Sequence, residues 1–467
     1  MVFDTVVIGA GISGLSVAHG LEQRGRTVAV LEAAPQAGGV IATTHRDGAL
    51  FERGPNSTLD TSPLINELLD DAGLRAQRVE PSAAASKRYV VRDGKPIALP
   101  TSPAALVTSP AFTLGAKLRL ARELFVAPGP PGVEESIAAF VRRRLGREFL
   151  DYAIDPFVAG IYAGDPERIS VAAAFPRLLA LEQRHGGLIK GQIRGARERK
   201  KSQEVAKNAA ASFSFRDGMQ TLTDGVGSTL DRVRCGARVA RVRRGPGGVF
   251  EVEGEHGGAP LRRTARAVVI ATPAYAAADL VRDLAPDAAA ALAAIEYAPI
   301  AVVAAAFRRA DVAHACDGFG FLVPRRENRR VLGSLFSSSM FPNRAPDDAV
   351  LLTTFVGGRR DPEVVALPDE AIVKIVLSEL DALVGASGAP LLTEVVRWRR
   401  AIPQYELGHL GRIGRVEQAE ITLPGLGFCA SYRGGVAVGD CVKNGHDAAA
   451  RLARWLAAPA PAGSAGA

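Results

Sequence analysis

The sequence predicts an α/β fold: a discontinuous Rossmann-like dinucleotide-binding domain, an α+β second domain and a mostly helical third. Three observations predict it. The β-branched run Val6-Val7-Ile8 breaks into Gly9-Ala10-Gly11-Ile12-Ser13-Gly14, a helical pattern follows, and Val28 to Leu31 ends on Glu32. Another buried-type strand, Val268-Val269-Ile270-Ala271, returns in mid-chain and ends in Thr272-Pro273, as a strand rejoining the same sheet would. Helical signals dominate from Glu134 to about Asn208, and strands alternate with one helix, Asp369 to Val384, from about Pro299 to Trp398.

The first element is a binding fingerprint in full context. Gly9 permits the tight turn at the strand end, Gly11 lets the backbone approach a pyrophosphate, and Gly14 lets helix and strand pack closely. The free N–H groups and dipole of the helix that follows receive phosphates. Glu32 is suited to accept both hydroxyls of an adenosine ribose and would repel a 2′-phosphate, which argues against NADP. Gly38-Gly39 and then Gly54-Pro55-Asn56-Ser57 follow. Such small, turn-forming residues let the chain run along a ribityl and an isoalloxazine, so the pattern predicts FAD rather than NAD.

Residues 1–82 read as the first part of the FAD-binding domain, and 83–95 as a strand pair of the substrate domain turning at Asp93-Gly94. Residues 96–210 read as a helical, membrane-associating domain. The FAD-binding domain resumes over 211–280, the substrate-binding domain occupies 281–396, and a third FAD-binding part runs over 397–457. Residues 458–467 form an Ala/Pro/Gly/Ser tail of the disordered type. The membrane expectation rests on Pro96 to Ala116, which carries no charge, holds four prolines that exclude a regular spanning helix, and precedes Lys117, Arg119 and Arg122. Apolar residues dipping into a leaflet beside cations would look like this, and so would a buried cavity-lining loop.

A chain of 467 residues with 47% hydrophobic content is long enough for two or three domains with large cores. Its four cysteines, Cys235, Cys316, Cys429 and Cys441, have no CxxC pairing or zinc spacing, and its seven histidines have no ligand spacing. Neither disulfides nor a metal are expected. Asp4 stands where a secretory leader would need a basic and then an apolar run, and Asp287 and Glu296 interrupt the apolar region from Leu284 to Phe307. A cytoplasmic protein on the inner face of the cell membrane is the expectation. The net charge of +8 gathers partly in Arg197, Arg199, Lys200 and Lys201, which lack interleaved aromatics and read as a solvated run rather than a nucleic-acid surface.

Together these segments resemble the oxygen-dependent protoporphyrinogen oxidases of the flavin amine-oxidase superfamily, from Val6 to Ala450. The motifs that carry the resemblance are Gly54 to Ser57, Gly160-Ile161-Tyr162-Ala163-Gly164-Asp165, Ser337 to Pro346, Ala401-Ile402-Pro403-Gln404-Tyr405 with Gly408-His409-Leu410, and Gly435 to Val438 with Cys441. The resemblance implies FAD held without a covalent bond by residues 9 to 14, Glu32, Gly54 to Ser57, Val239, Trp398, Val436, Ala437 and Val438. Two departures stand out. Ala430-Ser431 replaces the usual Gly-Asn, which bears on a backbone contact at the flavin, and Trp398-Arg399 replaces Trp-Pro.

The same resemblance implies a porphyrinogen substrate whose methylene bridges lose hydride to the flavin, with molecular oxygen as acceptor and hydrogen peroxide as product. No protein side chain is expected to act as a catalytic acid, base or nucleophile, because the cofactor carries the redox step. Arg88 is implied to face a substrate propionate, Leu322 and Phe341 to form apolar walls, and the turn from Gly160 to Gly164, with Gly164 as the contact, to approach the opposite face. Protoporphyrinogen IX is the leading substrate. Coproporphyrinogen III is the alternative, with Arg142-Arg143-Arg144 as cations for its additional carboxylates. A non-catalytic FAD-containing porphyrin carrier is the more distant reading. A homodimer is compatible with the sequence.

Overall fold

The computed structural model describes residues 1–130, 132–199 and 211–458. The basic run at Lys200 and Lys201 and the tail from 459 onward lie outside the described residues, as do the side chains of Arg197 and Arg199.

Two seven-stranded sheets organise the chain. In the first, Val2–Ile8 lies parallel to Val28–Leu31 on one side and to the carboxyl half of Ala259–Ile270 on the other. Leu426–Phe428 extends the parallel layer, pairing with Val268 to Ile270. The amino half of Ala259–Ile270 pairs antiparallel with Phe250–His256, which pairs with Ala237–Arg244. A twelve-residue strand thus serves two neighbours along one edge. Its last four residues, Ala267 to Ile270, are buried on both faces, as a parallel central strand must be.

Each face of this sheet has its own core. Helices Ile12–Glu22 and Val438–Ala457 cover one face, burying Leu15, Val17, Leu21, Val442, Ala449 and Leu456 against Val7, Val30 and Val269. Helices Ala274–Val281 and Pro286–Ala293 cover the other with alanine-rich faces, packed against Phe250, Ile270 and Phe428. That placement corrects the boundary read at 281, because the second of these helices belongs to the first sheet's core.

The second sheet runs Leu392–Pro403, Tyr297–Arg308, Ala349–Gly357, Val331–Phe336, Gly318–Leu322, Lys87–Arg92, Lys95–Ala98. The Asp93-Gly94 hairpin joins its last two strands, with both residues at positive φ as a tight two-residue turn requires. This pair extends beyond the boundary read at 95. The strand Leu392–Pro403 likewise passes through 397 without a break. One face of the sheet packs on Asp369–Val384, with Ile372, Val376 and Leu380 against Val303, Phe321 and Phe336. The other face, free of that helix, packs in part on the end of Asp155–Tyr162, with Ala159 and Ala163 against Ile300, Val302 and Leu332.

Pro96 to Ala116 forms the end of a strand, the short helix Pro103–Thr108 and the start of Leu114–Ala121, rather than a buried loop. Among the described residues no helix is long and apolar enough to cross a membrane.

Candidate functional site

The three fingerprint glycines do different things. Gly9 has φ +103°, and a Cβ there would come within 2.9 Å of the Ala271 carbonyl oxygen. A Cβ on Gly14 would overlap the Gly9 carbonyl oxygen and come within 3.0 Å of the Ala271 side chain. A Cβ on Gly11 would meet nothing within 4 Å. Two glycines therefore close the turn and the helix–strand contact, while the third opens onto free space at the mouth of helix Ile12–Glu22. Gly38 and Gly39 form its opposite wall: Gly38 N–H donates to the Ala10 carbonyl at 2.9 Å, and a Cβ on Gly39 would lie 3.3 Å from Gly11 Cα. Ile12 and Ser13 begin the helix behind this opening.

Glu32 sits beside the same turn. Its Oε2 accepts the Ala10 N–H at 2.7 Å and its Oε1 the Ala34 N–H at 2.8 Å, so two backbone donors orient the carboxylate and leave each oxygen a lone pair for a hydroxyl donor. Val239 lies at a bulge in Ala237–Arg244, made possible because Gly254 opposite it has no side chain.

A second helix opens toward the same region. Gly445 packs on Ser13 and Ser16 while Ala449 packs on Gly20, so Val438–Ala457 runs parallel to Ile12–Glu22 and both amino ends point the same way. Val436 and Ala437 lead into it, and Val438 is its first residue. Gly439 faces Leu59 and Thr61, just beyond the half-buried Gly54-Pro55-Asn56-Ser57 turn. In that turn Asn56 Nδ2 donates to the Gly54 carbonyl at 3.2 Å, and Trp398 Nε1 donates to the Arg53 carbonyl at 2.7 Å. Trp398 thus joins the second sheet to the Gly54 turn.

From Trp398 a row of side chains crosses the free face of the second sheet. Trp398 pairs with Ile300, Val302 with Phe355, and Phe355 with Gly333, which pairs with Leu322, which pairs with Val90. Arg88, two residues before Val90, shares that face by the period of a strand. Five strand spacings of about 4.8 Å separate the strands of Trp398 and Arg88, roughly 24 Å. Arg88 is exposed, and its guanidinium lies 5.5 Å from the centre of the Phe319 ring.

Two of the wall residues read from the sequence are corrected. Phe341 is 2% exposed, packed with Ala85 and Met340 behind Phe319, so it supports the wall from within. Gly164 is buried against Ile169 and Gln404. The other end of that turn, Gly160, stands opposite Leu322, with Leu322 Cδ2 at 3.0 Å from the position of a Cβ. Leu335, Phe355 and Phe319, each partly exposed on the free side, are wall residues that the sequence reading missed. No signal within one strand could have found Leu335 and Phe355, because the register between strands puts them on the side of Leu322.

The basic run at 142–144 is consumed internally. Arg142 pairs with Glu167, Arg143 with Glu135 and Glu182, and the fully buried Arg144 with Glu123 and Glu182. Glu123 also accepts the Leu188 N–H at 2.7 Å, and these donors hold its carboxyl below the usual range against the opposing effect of burial. Among the described residues no group of three His, Cys, Asp or Glu could hold a metal.

A family model for the flavin containing amine oxidoreductases matches residues 12–453. The chain belongs to that family. This oxidoreductase is 34% identical to the mitochondrial protoporphyrinogen oxidase of Nicotiana tabacum, over 96% of this chain and 94% of that one. It is 29% identical to the coproporphyrinogen III oxidase of Bacillus subtilis, over 97% of this chain and 98% of that one. A crystal structure from Exiguobacterium sp., proposed to be a protoporphyrinogen oxidase, superimposes with a TM-score of 0.80 at 24% identity, covering 96% of this chain and 98% of that one. The cofactor of the oxidoreductase is FAD, and the open space at Gly11, the oriented Glu32 carboxylate and the two convergent helix ends fit an adenine dinucleotide.

Proposed function

We propose that this oxidoreductase converts protoporphyrinogen IX to protoporphyrin IX with molecular oxygen as electron acceptor, releasing hydrogen peroxide. The observation that carries the reading is the free sheet face itself, apolar from Trp398 through Phe355 to Leu322 and ending in one cation, Arg88, without a carboxylate partner among the described residues. An apolar macrocycle with carboxylates on one side suits such a face. Held at Gly11, Glu32 and the mouth of Val438–Ala457, FAD would supply the hydride acceptor and the route of electrons to oxygen, so the chain's own share is orientation and exclusion of water.

The names of the relatives support both protoporphyrinogen and coproporphyrinogen as substrate class. The paired state of Arg142, Arg143 and Arg144 favours the former, since none of the three is left for further propionates. Aerobic turnover of both porphyrinogens side by side tests this. Protoporphyrinogen should give the higher specificity constant, and Arg88→Ala should lower it roughly ten- to hundredfold, the loss of a charge-assisted pair worth about 1.5 to 3 kcal/mol. An unchanged constant on both substrates would place the propionate contact elsewhere.

We also propose a peripheral site on an anionic, cytoplasm-facing membrane surface. Val107, Leu114, Leu118 and Phe125 are 70%, 72%, 60% and 87% exposed, beside the exposed Arg122. Lys117 and Arg119 donate to backbone carbonyls of 107, 109, 143 and 144, which ties them down without neutralising their charge. Flotation with vesicles should depend on anionic lipid and fall on Leu118→Ser with Phe125→Ser. Flotation indifferent to both changes would end the idea.

A further inference from the structure

Gln404-Tyr405 and Gly408-His409 belong to the sequence motifs, yet neither aromatic side chain faces the sheet surface just described. Tyr405 and His409 are 2% and 1% exposed, and their rings stack with centroids 4.2 Å apart at an interplanar angle of 14°. Both side chains end on one stretch of backbone. The Tyr405 hydroxyl donates to the Ser431 carbonyl at 2.7 Å and accepts the Gly435 N–H at 3.0 Å, and His409 Nε2 lies 2.9 Å from the Tyr432 carbonyl. A carbonyl only accepts, so Nε2 carries the proton, and the buried Nδ1 is bare, with no partner among the described residues.

This backbone is the turn that delivers the chain into Val438–Ala457. The other side of the turn is fastened by that helix: Asn444 Nδ2 donates to the Arg433 carbonyl at 3.0 Å, and a side chain on Gly435, at φ +124°, would overlap the Asp440 carboxylate. The sequence at the turn is Ala430-Ser431, where no side-chain amide is available to hold a loop, and the bond at Ser431 uses its carbonyl rather than its hydroxyl. The turn is thus gripped between a helix and an aromatic pair, and its next residues, Val436 to Val438, form the helix mouth that opens beside the Gly54 turn.

We propose that Tyr405 is a positioning residue for the flavin: its hydroxyl fixes the spacing of Ser431 and Gly435, with His409 holding Tyr432 between them, so that the amides opening the last helix meet the cofactor. The hydroxyl bridges acceptor and donor four residues apart, and phenylalanine would keep the stacked ring while removing both bonds. Tyr405 touches neither substrate nor reacting atoms in this role. The inference rests on membership of the flavoprotein family and is independent of which porphyrinogen is oxidised.

The test uses the full chain, with FAD as ligand. Tyr405→Phe should weaken FAD binding about tenfold or more, the consequence of freeing the two backbone groups that the hydroxyl holds, and should alter the visible circular dichroism of the bound flavin. The melting temperature of the FAD-free protein should stay near the wild-type value. His409→Gln, whose amide donates as Nε2–H does, should retain most of the affinity. Tyr405→Phe with wild-type FAD affinity and flavin spectrum would overturn the proposal. So would equal destabilisation with and without FAD, or failure of the variant to fold, since each would make the bonds part of the fold alone. Porphyrinogen turnover by the wild type is measured separately, so an error in substrate assignment leaves this result intact.

Discussion

Gly160 stands against Leu322 across the free face of the second sheet: a Cβ on Gly160 would lie 3.0 Å from Leu322 Cδ2. The helix Asp155–Tyr162 can lie this close only because the residue at the contact has no side chain. Gly160→Ala should therefore push the Leu322 tip out of its position, a cost the flexible leucine absorbs by turning, so the folded state should persist while the site narrows. We expect a raised KM for the porphyrinogen, with a melting temperature within a few degrees of wild type, because the displacement is of one methyl group. Adding Leu322→Val, which withdraws the clashing methyl, should restore KM. A KM unmoved by Gly160→Ala would mean that substrate does not use this gap.

The glycines of the first turn separate by the same reasoning. A Cβ on Gly14 would overlap the Gly9 carbonyl oxygen, whereas one on Gly11 would occupy open space. Gly14→Ala should destabilise the protein whether or not FAD is present. Gly11→Ala should leave the FAD-free protein as stable as wild type and abolish most of its FAD binding, by filling the volume a pyrophosphate needs. Thermal melts of both variants with and without added FAD check this, and equal FAD affinity in wild type and Gly11→Ala would remove Gly11 from the cofactor cradle.

Phe341 and Phe355 make the complementary pair for the substrate side. Phe341 is 2% exposed, so Phe341→Ala should empty a core site and cost about 3 to 5 kcal/mol of stability. Phe355 is partly exposed beside Trp398, and Phe355→Ala should lower kcat/KM with a smaller stability loss. Denaturant midpoints and steady-state kinetics on the same two variants decide between wall and support: the assignment fails if Phe341→Ala is the one that impairs turnover at unchanged stability.

What could be read without coordinates follows the range of the interactions. The glycine turn, the Asp93-Gly94 hairpin and the helix Asp369–Val384 are local, each specified by residues within one or two turns of chain, and the structure has all three. The substrate face is not local. Its neighbours come from strands at 87–92, 318–322, 331–336, 349–357 and 392–403, and only the register of those strands shows that Leu322 and Phe355 share a side while Phe341 falls beyond the strand end. Arg144 makes the same point for charge. Its partner Glu123 lies 21 positions away, so a run of three arginines looked available to a ligand when each was already matched to a glutamate.

His409 gives the pH dependence. Burial pushes its imidazole from the ordinary value of 6.5 down to about 4, because protonating Nδ1 would place a charged donor where no acceptor waits among the described residues. In the unfolded chain the proton binds at the ordinary value. Between the two values the unfolded state holds more protons, so the contribution to stability is complete above the ordinary value and is lost as pH falls toward about 4, on the order of 3 kcal/mol over the window. Glu52 works in the opposite sense. Its carboxyl is pushed up to about 7, mainly by burial, so the native state keeps a proton that the unfolded state has released, and its share of stability falls as pH rises through that range. Wild type alone would show these two effects mixed with those of other shifted groups, among them His19, His314 and Asp155. His409→Gln removes one and leaves all the others, so the difference in urea midpoint between wild type and variant should change in the variant's favour as pH is lowered from about 7.5 to about 4.5. A difference that stays constant over that interval would show that His409 titrates alike in the folded and unfolded chain.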